Sequence, residues 1–255
     1  MPWNPKLYNQ FKDIRSKPFQ DLSALIVSEP RMKAVDLGCG TGEQTAILSE
    51  RFPQATFLGL DASAEMLSNS DQLAHGRLQF SNSSVEDFLG TAETWDLIFS
   101  NAALQWLDDH RILFPKLISK LTRGGQLAIQ MPLQPENVLN KILIEMAAEE
   151  PFCSYLKGWN RVSPVLSLDD YAELLYKEGL VQLDLSIRVY PIVADSEKML
   201  YEFIAGSALI PYMEHLEKER HQLFIHAFRS RIRAHFPEFP AIYPFKRLLL
   251  YGRRA

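Results

Sequence analysis

The chain has 255 residues, 47% of them hydrophobic and 23% charged, an ordinary globular composition for one large α/β domain or a domain with a subdomain. Its formal net charge of -4, from 27 basic and 31 acidic residues, lacks the basic excess that nucleic-acid binders carry, so no nucleic-acid partner is expected. Cys39 and Cys153 show neither a CxxC nor a metal-ligand spacing, which argues against a disulfide framework and a structural zinc.

In chain order, Met1-Pro2-Trp3-Asn4-Pro5 has no basic start followed by an apolar core, so no secretory leader is expected and the cytoplasm is the expected location. Lys33–Leu37 is a strand candidate that runs into glycines. Glu43–Arg51 follows as a helix, with Ala46, Ile47 and Leu48 expected to face a sheet and Pro53 as its stop. Thr56–Leu60 is a second strand, and Ser63 is an N-cap for a turn from Ala64 to Ser68. Leu78–Phe80 and Trp95–Ser100 are the third and fourth strands. Asp108 or Asp109 caps a helix through Leu113, Leu117 and Leu121, which Gly124-Gly125 is expected to end, and Gln126–Met131 is a fifth strand.

Beyond this point helical periodicity dominates: Asn137–Glu149, Asp169–Lys177, and most of Ser196–Phe236 with interruptions at Gly206 and Pro211. The longest apolar run, Met199–Met213, contains Glu202 and Pro211 and is too short and broken to span a bilayer, so no membrane association is expected. Val181–Tyr190 and Leu248–Tyr251 supply a sixth and a seventh strand. Alternating strands and helices define the expected fold: an α/β, Rossmann-like, doubly wound, seven-stranded and mostly parallel sheet with helical lid and insertions. Three regions follow: residues 1–30 as an N-terminal helical lid, 31–132 as the Rossmann-like core, and 133–255 as the rest of the core, with strands six and seven and helical insertions.

The chemically informative stretch is Val35-Asp36-Leu37-Gly38-Cys39-Gly40-Thr41-Gly42. A strand feeding three closely spaced glycines and then a helix allows a tight turn and lets a ligand approach the backbone. Asp36, at the strand end, can pair with a ligand ammonium or anchor the loop. Asp61, at the end of the second strand, is placed to accept from both hydroxyls of a ribose. The G-C-G-T-G spacing with an acid two residues before it differs from the G-x-G-x-x-G of nicotinamide-binding folds.

This segment resembles the class I S-adenosylmethionine-dependent methyltransferases. Trp3-Asn4-Pro5 with Leu7-Tyr8 and Phe11, the run Asn101–Leu107, Gln130-Met131-Pro132 and Phe245-Lys246-Arg247-Leu248 are similar to the trans-aconitate 2-methyltransferase subfamily. The likeness covers nearly the whole chain, densely up to Pro132 and thinly from there to about Lys246. It implies S-adenosylmethionine as cofactor, S-adenosylhomocysteine as product and a small acidic acceptor; a monomer or weak oligomer is expected.

By the same resemblance Gly38, Gly40 and Gly42 pass under the methionine part of the cofactor and Asp36 sits near its amino group. Asp61 holds the ribose, Ala62 and Met66 lie beside the adenine, and Ser84 and Val85 form the turn at the adenine edge. Asn101 and Ala102 flank the sulfonium region. Gln105 and Trp106 line the way to the acceptor, and Tyr8 and Phe11 belong to the lid. Two positions depart from the family: Ser84 stands where an acid is frequent, and Ile210 replaces the arginine of a G-T-G-L-R-P-Y run.

A carboxylate acceptor is already ionised near neutral pH and needs no general base, so cationic and hydroxyl side chains that orient it are expected instead. The candidates are Arg15, Arg161, Tyr8, Tyr190 and Tyr212; Trp106, Arg161 and Tyr8 are the expected catalytic residues. Arg229, Arg231 and Arg233 read as a solvated helix face, and His110 as a surface residue at a helix start. His215, His221, His226 and His235 make no i, i+4 pair, and no metal is expected.

Overall fold

The computed structural model of the chain describes residues 12–255, with side chains from Ser16 onward. Two compact units emerge, each assembled from separate stretches of sequence. The larger holds Lys17–Pro132, Pro164–Arg188 and Arg247–Ala255; the smaller holds residues 12–16, Leu133–Ser163 and Val189–Lys246.

Among the described residues one sheet has seven strands: β1 (Lys33–Leu37), β2 (Thr56–Asp61), β3 (Leu78–Asn82), β4 (Trp95–Asn101), β5 (Leu121–Pro132), β6 (Leu180–Ala194) and β7 (Ala241–Arg254). Their order is β3-β2-β1-β4-β5-β7-β6. β1 through β5 pair in parallel, and β7 runs antiparallel to β5. The central strands are near-continuous apolar runs because both faces are covered: Leu97, Ile98 and Phe99 of β4 and Leu127, Ala128 and Ile129 of β5 are fully buried. Strand order reverses between β1 and β4, and a crevice outside the carboxyl ends of the strands opens at such a switch point.

In the larger unit, α1 (Lys12–Ser23) from Lys17 onward and α2 (Glu43–Arg51) cover one face. Phe19 meets Phe99 edge-on at 5.9 Å, and Leu22, Leu48 and Phe57 join the same core. After α3 (Val85–Gly90), α4 (His110–Ser119) packs on β5 and on α7 (Leu168–Lys177), burying Leu113, Phe114 and Leu117. Gln126 closes the unit by a two-way clamp on Val27, accepting from its N–H at 2.8 Å and donating to its carbonyl at 2.9 Å.

In the smaller unit, α5 (Val138–Ala148), α6 (Phe152–Tyr155), α8 (Glu197–Ala205), α9 (Ile210–His215) and α10 (His221–His235) enclose an aromatic-rich core. Leu139, Ile142, Leu143 and Met146 form the i, i+3, i+4, i+7 stripe of α5, against Phe224, Phe228 and Ile232 of α10. The basic positions of α10 are not merely solvated: Arg229 and Arg233 both grip buried Glu197, and Arg231 forks onto Glu149.

Several local expectations need correction. Gly124-Gly125 does not end a helix. α4 stops at Ser119 because β4 captures the following backbone: Trp95 N–H donates to Lys120 O at 2.8 Å, and Leu121 pairs with Trp95. The glycines lie inside β5 at a register shift, where a Cβ on Gly125 would come within 3.0 Å of Trp95 O. Ile47 is 51% exposed, since the inward face of α2 is Thr45, Leu48 and Ser49. Pro211 begins α9 rather than breaking a helix, as its fixed φ suits a first turn. No described helix is long and apolar enough to cross a membrane.

Candidate functional site

The site lies within the larger unit, at the carboxyl ends of β1, β2 and β4. Beyond Leu37 the chain turns through Gly38, Gly40 and Gly42, all left-handed with φ of +73°, +58° and +81°. The end of β2 pins this turn. Leu60 O accepts from Gly38 N–H at 2.8 Å and from Cys39 N–H at 2.9 Å, and Asp61 Oδ2 accepts from Gly40 N–H at 2.8 Å. A side chain at Gly38 would place Cβ 2.2 Å from the Cβ of Ala103, so two loops approach as closely as bare backbone permits. Gly42 is equally constrained by the Phe80 ring, at 2.6 Å.

Asp61 is half-buried, and its second oxygen accepts from Ser63 N–H at 2.9 Å. Each carboxylate oxygen retains acceptor capacity toward a sugar hydroxyl. Ala62 is exposed at the rim, and the Met66 methyl reaches within 3.1 Å of a Cβ built on Gly40. Met66 opens a 3-10 turn (Met66–Gln72) whose first N–H donates to the Ser63 hydroxyl at 3.2 Å, the expected cap displaced by two residues.

Asp36 is buried beneath the loop and accepts from the Thr45 hydroxyl at 2.6 Å. Burial pushes its carboxyl up to about 7, against the pull of the Thr45 hydrogen bond and with a further push from Asp61. It anchors the loop to α2 from below. Asn101 ends β4 and donates to Gln44 Oε1 at 2.8 Å. Its own Oδ1 is buried and accepts nothing among the described residues. Ala102 is left-handed at φ +59°, a conformation a non-glycine residue holds only at a cost, and its N–H donates to Gln130 O at 2.9 Å.

These features fit S-adenosylmethionine: a left-handed glycine turn at the carboxyl edge of the sheet, a carboxylate at the sugar position, and a buried carbonyl oxygen suited to an ammonium. Ser84 holds the turn before α3 in shape. It caps α3, accepting from Asp87 N–H at 3.0 Å and donating to Asp87 Oδ2 at 2.8 Å, with Val85 as the first helical residue.

Gln105 is buried and donates to Ala102 O at 2.7 Å, which holds the loop after β4 in shape. Trp106 is 40% exposed. Arg161 and Tyr212 lie in the smaller unit, where Asn160 Oδ1 accepts from Arg161 N–H at 2.9 Å and from the Tyr212 hydroxyl at 2.7 Å. Tyr190 is buried there too. Tyr8 and Phe11, and the Arg15 side chain, fall outside the described residues.

His110 is no surface residue: it is 1% exposed, hydrogen-bonded to the Tyr171 hydroxyl, with Nε2 2.9 Å from Leu104 O. Thr45 and Gln44, the partners of Asp36 and Asn101, escaped the sequence reading; their signal is their place in the first turn after the glycines. Among the described residues no cluster of three or more His, Cys, Asp or Glu is placed to hold a metal.

Residues 34–125 match the family described as a methyltransferase domain. Fold, glycine cradle and this match define an S-adenosylmethionine-dependent methyltransferase. The geranyl diphosphate C-methyltransferase of Streptomyces coelicolor A3(2), solved with S-adenosyl-L-homocysteine, shares the fold: TM-score 0.57, 17% identity, 98% of this chain and 83% of that one. The trans-aconitate 2-methyltransferase of Deinococcus radiodurans is 42% identical over 100% of this chain and 99% of its own length. That of Azoarcus sp. (strain BH72) is 34% identical over 99% of both. The chain belongs to the trans-aconitate 2-methyltransferase family.

Proposed function

We propose that this enzyme methylates a carboxylate of a small polycarboxylic acid, trans-aconitate, to give its methyl ester. The observation that carries this is the end-to-end likeness to a trans-aconitate 2-methyltransferase at 42% identity, which includes the loop after β4 as well as the glycine turn.

When bound, S-adenosylmethionine supplies a methyl carbon on a cationic sulfur, which a carboxylate oxygen takes in line while the carbon–sulfur pair returns to sulfur. The residues of this chain bind and orient. Gly38, Gly40 and Gly42 form the floor under the amino-acid part, and Asn101 Oδ1 accepts from its ammonium while Asp36 supports the loop beneath. Asp61 accepts from the ribose hydroxyls, with Ala62 and Met66 along the adenine and Ser84 and Val85 at its edge. Ala102, held left-handed, brings the loop backbone to the sulfonium region, and Trp106 belongs to the acceptor side. Arg161 is assigned to the acceptor for its charge, which suits a carboxylate, and Tyr8 for its hydroxyl and its place in the lid that the resemblance implies.

No proton leaves a carboxylate nucleophile, so the reaction needs no general base. Alignment of acceptor, methyl and sulfur is the main contribution, worth on the order of 7–11 kcal/mol for well-oriented groups.

The test is incubation with methyl-labelled S-adenosylmethionine and trans-aconitate, read by mass spectrometry for the labelled monoester. No ester from trans-aconitate or related di- and tricarboxylates rejects the acceptor. A labelled product from a metabolite extract then identifies the replacement.

A further inference from the structure

The cofactor residues leave one polar group at the carboxyl edge of the sheet unassigned. Gln130, near the end of β5, is fully buried and stands in register with Asn101. Parallel-paired residues share a face, so Gln130 lies on the Asn101 side of the sheet. Its Oε1 accepts from Arg247 Nη1 at 2.6 Å, while its Nε2 is buried with no acceptor among the described residues. Arg247 is 7% exposed. β7 brings it there: running antiparallel to β5, it pairs Leu249 with Gln130 and Arg247 with Pro132, on the same face.

An amide donor without an acceptor and a guanidinium thus converge one to two strand spacings from Asn101, a distance of about 5–10 Å. Two converging donor groups suit an anion with planar, paired oxygens, and the fork of an arginine matches a carboxylate better than any other side chain.

We propose that Arg247 and Gln130 form a carboxylate-binding subsite that anchors a non-reacting carboxylate of the acceptor while another meets the loop after Asn101. This assignment rests on the polycarboxylate reading above and adds the residues that select for it. A second carboxylate becomes a requirement, and acids with only one are poor acceptors.

The experiment uses full-length Arg247→Met and Arg247→Lys beside the unaltered enzyme. Calorimetry measures S-adenosylhomocysteine binding, then trans-aconitate binding to the product-saturated protein, and steady-state kinetics gives KM and kcat. Arg247→Met is expected to bind S-adenosylhomocysteine within about twofold of normal and trans-aconitate about 10–100-fold more weakly, as for loss of a charged hydrogen bond. Arg247→Lys keeps the charge but not the fork; its KM is expected to rise by less, with kcat little changed.

Unchanged trans-aconitate affinity in Arg247→Met overturns the subsite, as does loss of S-adenosylhomocysteine binding in both variants, which makes Arg247 a strut. If Arg247→Met does not fold, an unchanged KM in Arg247→Lys overturns it alone. Arg247-dependent binding of trans-aconitate without ester formation leaves the subsite standing and removes the proposed reaction. Ester formation with equal KM in all three proteins does the reverse.

Discussion

At the scale of single residues, Asp36 couples the cradle to pH. An aspartic carboxyl ionises near 3.8 outside the fold, whereas burial holds Asp36 at about 7. Between those values the folded chain binds a proton that the unfolded chain has released, so this residue's contribution to stability falls as pH rises from about 4 to 7. The difference amounts to a ceiling on the order of 4 kcal/mol. Asp36→Asn cannot ionise and can still accept from Thr45. Its melting temperature is expected to exceed that of the unaltered protein at pH 8, with the gap closing toward pH 5, in calorimetry across that range. Parallel profiles would show that Asp36 keeps an ordinary carboxyl.

At the scale of elements, the loop after β4 depends on a histidine from the next helix. Leu104 O only accepts, so His110 Nε2 carries the hydrogen and Nδ1 accepts from the Tyr171 hydroxyl, which itself accepts from Leu166 N–H at 3.3 Å. Burial holds His110 below its usual range. The unfolded chain therefore takes up a proton first on acidification, and this contribution, full above about pH 6.5, is lost as pH falls, the opposite slope to Asp36. Tyr171→Phe removes the donor and leaves Nδ1 unpaired. It is expected to cost about 1–3 kcal/mol, read as a lowered melting temperature at pH 7.5; an unchanged value would show that the bond contributes nothing.

This triad also marks where legibility ends. The glycine turn and Asp61 could be read because strand, turn, helix, strand and acid follow one another within 30 residues. His110 reads as a surface residue in sequence because Tyr171 is 61 positions away, and the Gln130–Arg247 bond spans 117. Gly124-Gly125 was misplaced for a different reason: paired glycines suit a helix stop and a close backbone approach equally well, and only the β4 register decides.

At the scale of the whole molecule, the two units differ in what holds them together. The larger is a stack of apolar, mostly parallel strands between helices; the smaller is a helical core of interlocked rings, with Phe224 stacked on Tyr212 and edge-on to Phe152. The proposed cofactor contacts all lie in the larger. Hydrogen exchange with and without S-adenosylhomocysteine is expected to show new amide protection at residues 38–42, 61–66 and 101–106. Gains confined to the smaller unit would place the nucleoside elsewhere.

The reversed direction of β7 has a practical outcome. Because that strand begins at the edge where β5 ends, its last residues sit where β5 starts: the Arg253 side chain bonds Gly124 O at 2.9 Å, and Ala255 N–H bonds Gly179 O at 3.1 Å. Anything fused after Ala255 leaves the sheet on the side away from the glycine turn. A tether there can fix the enzyme to a surface or a bead with the glycine turn facing away from the support.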